Sequence, residues 1–193
     1  MKNASVQKIA EILRILVLIT FICNLAALLL VPGLVYFRSD IAHRIEFSHL
    51  QHIFDYDFND GLGHLLGIYL TEVWREPYSA ALTLFLFFSG ICTAVILLQA
   101  IRVLCTIVEG NRNPFTLENA ASLRRAAVCC FLIAAAALAR VIFSVCYYRS
   151  PLPLATYNAL FVPMFAMGGL LCLVMSALFR QAAEMKAEND LTI

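Results

Sequence analysis

The sequence predicts an all-α, polytopic membrane protein: four transmembrane helices, an amphipathic helix in the long outer loop, and both termini cytoplasmic. Three observations carry that expectation. The chain is 62% apolar and only 14% charged over 193 residues, whereas a soluble domain holds about 25% charged and under half apolar residues. Its apolar residues gather into four runs, Ile15–Phe37, Ala80–Ile101, Ala126–Tyr148 and Tyr157–Phe179, each close to the roughly 20 residues that cross a bilayer as a helix. The runs are continuous and lack two-residue alternation, which excludes a membrane β-barrel. Lipid offers no partner to a free backbone N–H or C=O, so each run must satisfy its own by becoming helical.

The first run follows Lys2, Lys8 and Arg14. It is too long for a cleaved signal peptide and no Ala-x-Ala-like site follows it, so it reads as a retained signal-anchor helix. Pro32 and Gly33, in its last third, predict a kink. Thr20 and Asn24 share one face, and Asn24 near mid-membrane calls for an interhelical hydrogen bond.

Residues 38–79 form the loop expected outside. Leu62, Leu65, Leu66, Tyr69, Leu70 and Val73 follow helical spacing, and Trp74 and Tyr78 stand where an interfacial aromatic anchor would. All four histidines lie here. His49-x-x-His52 with Asp55 and Asp57 offers metal-ligand chemistry, but "DYDFNDGLGHLL" fails as an EF-hand: Asp60 takes the place of the required Gly, and Leu66 that of the bidentate Glu. With three Arg against seven Asp and Glu, the loop reads as an acidic solvated segment, and neither metal nor cofactor is expected.

Lys and Arg set the orientation. Nine of the fourteen (Lys2, Lys8, Arg14, Arg102, Arg112, Arg124, Arg125, Arg180 and Lys186) fall on the side of the termini and residues 102–125. That side is the cytoplasm, so the chain is expected in a bacterial inner membrane with an outer loop 38–79, an inner loop 102–125 and a cytosolic tail 180–193, as one four-helix domain over 1–193.

Within the inner loop, Pro114 breaks the chain and Thr116 is an N-cap. Phe115 is placed to staple onto the first turn, and Glu118 lies near the positive helix end. Asn119 stands where a full capping box has Glu or Gln. The third span carries Arg140, a charge costing about 2.5–3.5 kcal/mol near mid-membrane before snorkelling relieves it. Its bland role is to reach the outer headgroups; its functional one is a ligand contact or conformational pivot. In the fourth span Gly168, Cys172 and Ser176 recur every four residues, a stripe that admits a close neighbour. Of the seven cysteines none forms Cys-x-x-Cys, and they read as small packing residues.

The pattern Asn-Pro-Phe-Thr-x-x-Asn-x-x-x-Leu-Arg at 113–124 and the ending Glu188-Asn189-Asp190-Leu191-Thr192-Ile193 resemble a bacterial family of uncharacterised four-span membrane proteins known only as a domain of unknown function. The likeness covers roughly residues 80–193. It implies four helices with both ends inside and association with a small helix-turn-helix regulator, and no enzyme activity. The inner loop (Pro114, Phe115, Thr116, Asn119, Arg124) and the tail (Asp190, Leu191, Thr192, Ile193) become the expected partner-binding residues. Leu191 and Ile193 either fold back toward Phe115 or are covered by a partner.

Two functions follow. In the first, the chain is a non-enzymatic regulatory or adaptor protein docking a soluble cytosolic regulator, without direct nucleic-acid binding. In the second, it is a small transporter or immunity-type protein that binds a peptide, lipid or drug near Arg140. No nucleophile elbow, phosphate loop or zinc-protease pair supports an enzyme, and the oligomeric state is not encoded legibly.

Overall fold

A computed structural model describes residues 2–43, 73–75, 77–108, 114–155 and 157–191. Four long helices account for nearly all of them: α1 (Lys2–His43), α2 (Pro77–Val108), α3 (Leu117–Tyr148) and α4 (Tyr157–Leu191). Each contains one of the four apolar runs and is long and apolar enough to cross a membrane. The expected fold class, a four-helix membrane protein, is what the chain forms.

At 1.5 Å per residue the 32 residues of α2 and of α3 extend about 48 Å, well beyond a hydrocarbon core of about 30 Å. The helices therefore continue past their apolar runs. The amphipathic helix expected over residues 62–75 falls mostly outside the described residues, where a single helical turn, Val73–Arg75, is seen.

The chain divides into two compact units. The smaller, Ala26–Phe88, has an apolar centre of Val31 and Val35 from α1 and Leu82 from α2, flanked by Tyr78, Leu86 and Phe87. Thr83 is fully buried there and donates its hydroxyl to the Ser79 carbonyl at 2.8 Å, which removes the cost of an unpaired polar group in an apolar setting.

The larger unit, Met1–Leu25 with Ser89–Ile193, holds α3, α4 and parts of α1 and α2. The Asn24 side chain donates to the Gly90 carbonyl at 3.0 Å, the interhelical bond its depth called for. Thr20 turns back to Leu16. The most buried helix is α3, and its buried residues form two stripes. Ala120, Ala127, Cys130, Ala134, Ala137, Val141 and Ser144 repeat at alternating steps of three and four after the first seven-residue step, and α4 is the principal neighbour of α3. Asn119, Ser122, Ala126 and Ile133 make the second stripe, turned from the first by about one residue.

α3 ends at Arg149, which takes the left-handed conformation at φ 49° and ψ 35°. Left-handed C-caps release the last turn of a helix, and Pro151 then prevents its resumption. A 3-10 turn, Leu152–Ala155, leads into α4.

Candidate functional site

The turn between α2 and α3 is built around Asn119. Thr116 is the N-cap of α3, with β-region backbone (φ −123°, ψ 153°), and its hydroxyl accepts from the Asn119 backbone N–H at 3.2 Å. The Asn119 side chain does not complete a capping box. Its amide turns the other way and uses both hydrogens, one to Thr106 Oγ1 and one to the Pro114 carbonyl, each at 2.7 Å. Thr106 passes its own hydroxyl hydrogen to the Val103 carbonyl at 2.8 Å. Thr116 N–H bonds the Pro114 carbonyl at 3.1 Å. Asn119 is 3% exposed, so one side chain ties the end of α2, the turn and the start of α3 in a dry environment. Glu at 119 could accept only, which is why the capping-box residue is missing.

Phe115 is held out by this knot. Its ring, 43% exposed, packs edge-on against Phe179 of α4 with centroids 5.0 Å apart. The expected staple thus reaches across to another helix. Phe179 is buried, and one turn earlier Ser176 donates to the Ala120 carbonyl at 2.7 Å. Deeper along the seam the tight position is Gly169: a Cβ there would lie 3.0–3.2 Å from the Phe131 ring, whereas one at Gly168 would meet nothing within 4 Å. The small-residue stripe is therefore Gly169, Cys172 and Ser176, leading to Phe179 at steps of three, four and three. The period of four that singled out Gly168 missed the helix phase by one residue.

Past Phe179, α4 stays helical through Leu191, about 18 Å further along its axis. Arg180 donates from Nε to Glu184 Oε1 at 2.8 Å on the solvated side; so exposed an ion pair orients the surface without adding much stability. The backbone of Leu191 thus lies along the helix axis beyond Phe179, while Thr192 and Ile193, the rest of the expected fold-back, lie outside the described residues.

The structure thus brings Pro114, Phe115, Thr116 and Asn119 into one cluster and adds Thr106, Ser176 and Phe179, which sequence reading did not single out. Arg124 is exposed on α3 a turn and a half beyond Asn119. Asp190 and Leu191 lie on the backbone of the last helical turn, and their side chains fall outside the described residues, as do Thr192 and Ile193 entirely. His49, His52, Asp55 and Asp57 also lie outside them. Arg140 is half-buried and engaged by a neighbour. Of the cysteines, Cys92 on α2 and Cys130 on α3 are buried, while Cys105, Cys129 and Cys172 are half-buried.

Residues 46–193 match the family described as a protein of unknown function (DUF2975). Neither curated proteins nor solved structures provide a match. The matched region takes in most of the segment between α1 and α2 as well as the Asn119 turn and α4, so the likeness extends further toward the N-terminus than the two quoted motifs alone. On a match of that extent, over a chain whose four long helices are each able to span a bilayer, the chain belongs to the DUF2975 family of membrane proteins.

Proposed function

We propose that this protein is a non-enzymatic membrane adaptor, a single four-helix domain with both ends on the cytoplasmic face, that docks a soluble regulator there. The docking element is the arm of α4 beyond Phe179, and the Asn119 turn is the bearing that fixes its direction. The single observation that carries this reading is the Phe115–Phe179 ring pair at 5.0 Å. It joins an internally hydrogen-bonded turn to the point where α4 changes from apolar to polar.

Two further features support it. The arm, "RQAAEMKAENDL", is rich in good helix formers and is solvated on most of its surface, so it stands ready for a partner without an ordering cost. Met185 on it is 53% exposed, an adaptable apolar contact of the kind recognition surfaces use. The partner suggested by the family resemblance is a small helix-turn-helix protein, which would meet the arm as helix against groove.

The test is quantitative co-purification from gentle detergent, comparing the full chain, a chain ending at Glu184, and Phe115→Ala. A soluble protein that is retained by the full chain, lost by truncation and weakened by Phe115→Ala supports the adaptor role. Equal retention by all three ends it. The half-buried guanidinium of Arg140 favours a second reading, ligand binding within the membrane, for which Arg140→Lys should abolish transport or protection in a folded protein.

A further inference from the structure

Four arginines border the apolar runs at one end of the bundle. Arg14 precedes the first run, Arg102 follows the second, and Arg124 and Arg125 precede the third, whereas the lysines, Lys2, Lys8 and Lys186, all lie further out. Arg102, Arg124 and Arg125 are exposed and Arg14 is half-buried. None of the four is paired with a carboxylate among the described residues, where the ion pair near this surface joins Arg180 to Glu184.

Two hydrogen bonds fix their levels. Thr106 of α2 meets Asn119 of α3 at 2.7 Å, and consecutive spans run in opposite directions. Arg102 lies four residues before Thr106 and Arg125 six after Asn119, so both lie deeper than that bond, by about 6 and 9 Å. At about 100° per residue, Arg102 is turned about 40° from Thr106 and Arg125 about 120° from Asn119. In antiparallel neighbours both turns fall on the same side of the hairpin, and Arg124 falls on the other. On α1, Asn24 donates to the Gly90 carbonyl of α2 at 3.0 Å. Ala10, Arg14, Val17, Phe21 and Asn24 form the less exposed face of that helix at steps of four and three. Arg14 is therefore on its packed side, about 15 Å along from Asn24, and Arg102 is about 18 Å along from Gly90. The two share a level.

What these groups border decides what they bind. Leu98, one turn deeper than Arg102, and Leu132, two turns deeper than Arg125, are 40% and 44% exposed. Each continues the side of its helix that carries the arginine into the apolar run, so each guanidinium heads an apolar track. A guanidinium fork matches phosphate oxygens bidentately, as a lysine ammonium does not. Like charges gathered at one level repel until an anion neutralises them, and a zwitterionic headgroup would bring a further cation with its phosphate.

We propose that Arg102 and Arg125, with Arg14 at the same level, hold the phosphate of one anionic glycerophospholipid whose acyl chains lie along Leu98 and Leu132. The Thr106–Asn119 bond sets the spacing of the two forks.

The full chain, delipidated in detergent, is titrated in native mass spectrometry with dioleoyl-phosphatidylglycerol, dioleoyl-phosphatidylcholine and glycerol 1-phosphate. Phosphatidylglycerol should bind about tenfold more tightly than phosphatidylcholine, the worth of one charge-assisted hydrogen bond, and glycerol 1-phosphate should not compete. Arg102→Lys/Arg125→Lys keeps every charge and should lose about that tenfold preference. Each single lysine variant and Arg14→Gln should lose part of it, so a folding defect in one variant does not decide the matter, while Arg180→Gln, outside the cluster, binds as the parent does. Equal binding of the two lipids, parental binding by the double lysine variant or by Arg14→Gln, or an equal loss in Arg180→Gln means diffuse charge and overturns the proposal. Competition by glycerol 1-phosphate means a soluble anion and overturns it too.

Discussion

Asn119 Nδ2 and Thr106 Oγ1 stand 2.7 Å apart across the turn that joins α2 to α3, with thirteen residues of chain between them. The contact is part-buried and short, so its removal has a defined cost. Asn119→Ala removes two hydrogen bonds at once, to the Pro114 carbonyl and the Thr106 hydroxyl, each worth about 0.5–1.5 kcal/mol net, while Thr116 N–H and the Val103 carbonyl still partner those two groups. Thr106→Val removes two bonds, the one accepted from Asn119 and the one donated to the Val103 carbonyl, and should cost about 1–3 kcal/mol. Thermal unfolding of the two single variants and the double variant in detergent should reveal coupling, with the double variant less destabilised than the sum. Strict additivity would mean that the two side chains do not interact.

Thr116 offers a second handle on the same turn. As an N-cap accepting from Asn119 N–H, its replacement by Ala should cost about 1 kcal/mol. Thr116→Ser keeps the oxygen and should recover most of that loss in the same melting assay.

The ring pair should respond unequally. Phe179 is buried and Phe115 is not, so Phe179→Ala should cost about 3 kcal/mol and Phe115→Ala clearly less. Limited proteolysis gives an independent readout: with either ring removed, cleavage within residues 180–191 should accelerate while α3 remains protected.

Adjacent glycines on α4 should behave oppositely. Open space at Gly168 means that Gly168→Ala should stabilise the helix by about 0.5–1 kcal/mol, the usual penalty of a helical glycine. At Gly169 the same gain is offset by contact with Phe131, and Gly169→Leu should lower stability by about 1–3 kcal/mol through overpacking. Melting temperatures of Gly168→Leu and Gly169→Leu side by side check the assignment of the seam.

Arg149 is a side chain in left-handed backbone at φ 49°. Arg149→Gly removes a steric cost of about 1–2 kcal/mol and should raise the melting temperature, provided the guanidinium contributes nothing comparable in lipid.

The helices were legible because membrane burial forces a continuous apolar stretch to satisfy its own backbone. The start of α3 was legible because Thr116 and Glu118 are local signals. Asn24 was legible because an amide at that depth must find a partner. Other features depend on distance in space. The partner of Asn119 is on another helix, and nothing local marks Thr106 as its acceptor. The choice between Gly168 and Gly169 is a rotation of about 100° that a period of four cannot resolve. The continuation of α4 past Phe179 follows from "RQAAEMKAEND", a run of good helix formers that propagates the helix it inherits.

One uninterrupted α4 from Tyr157 to Leu191 has a mechanical consequence. Pro163 near its start removes one backbone bond and is where the helix can bend, whereas beyond it no proline interrupts the helix as far as Leu191. A bend at Pro163 and a ring contact with Phe115 at Phe179 thus divide α4 into a hinged entry, a packed middle and a helical arm from Arg180 to Leu191.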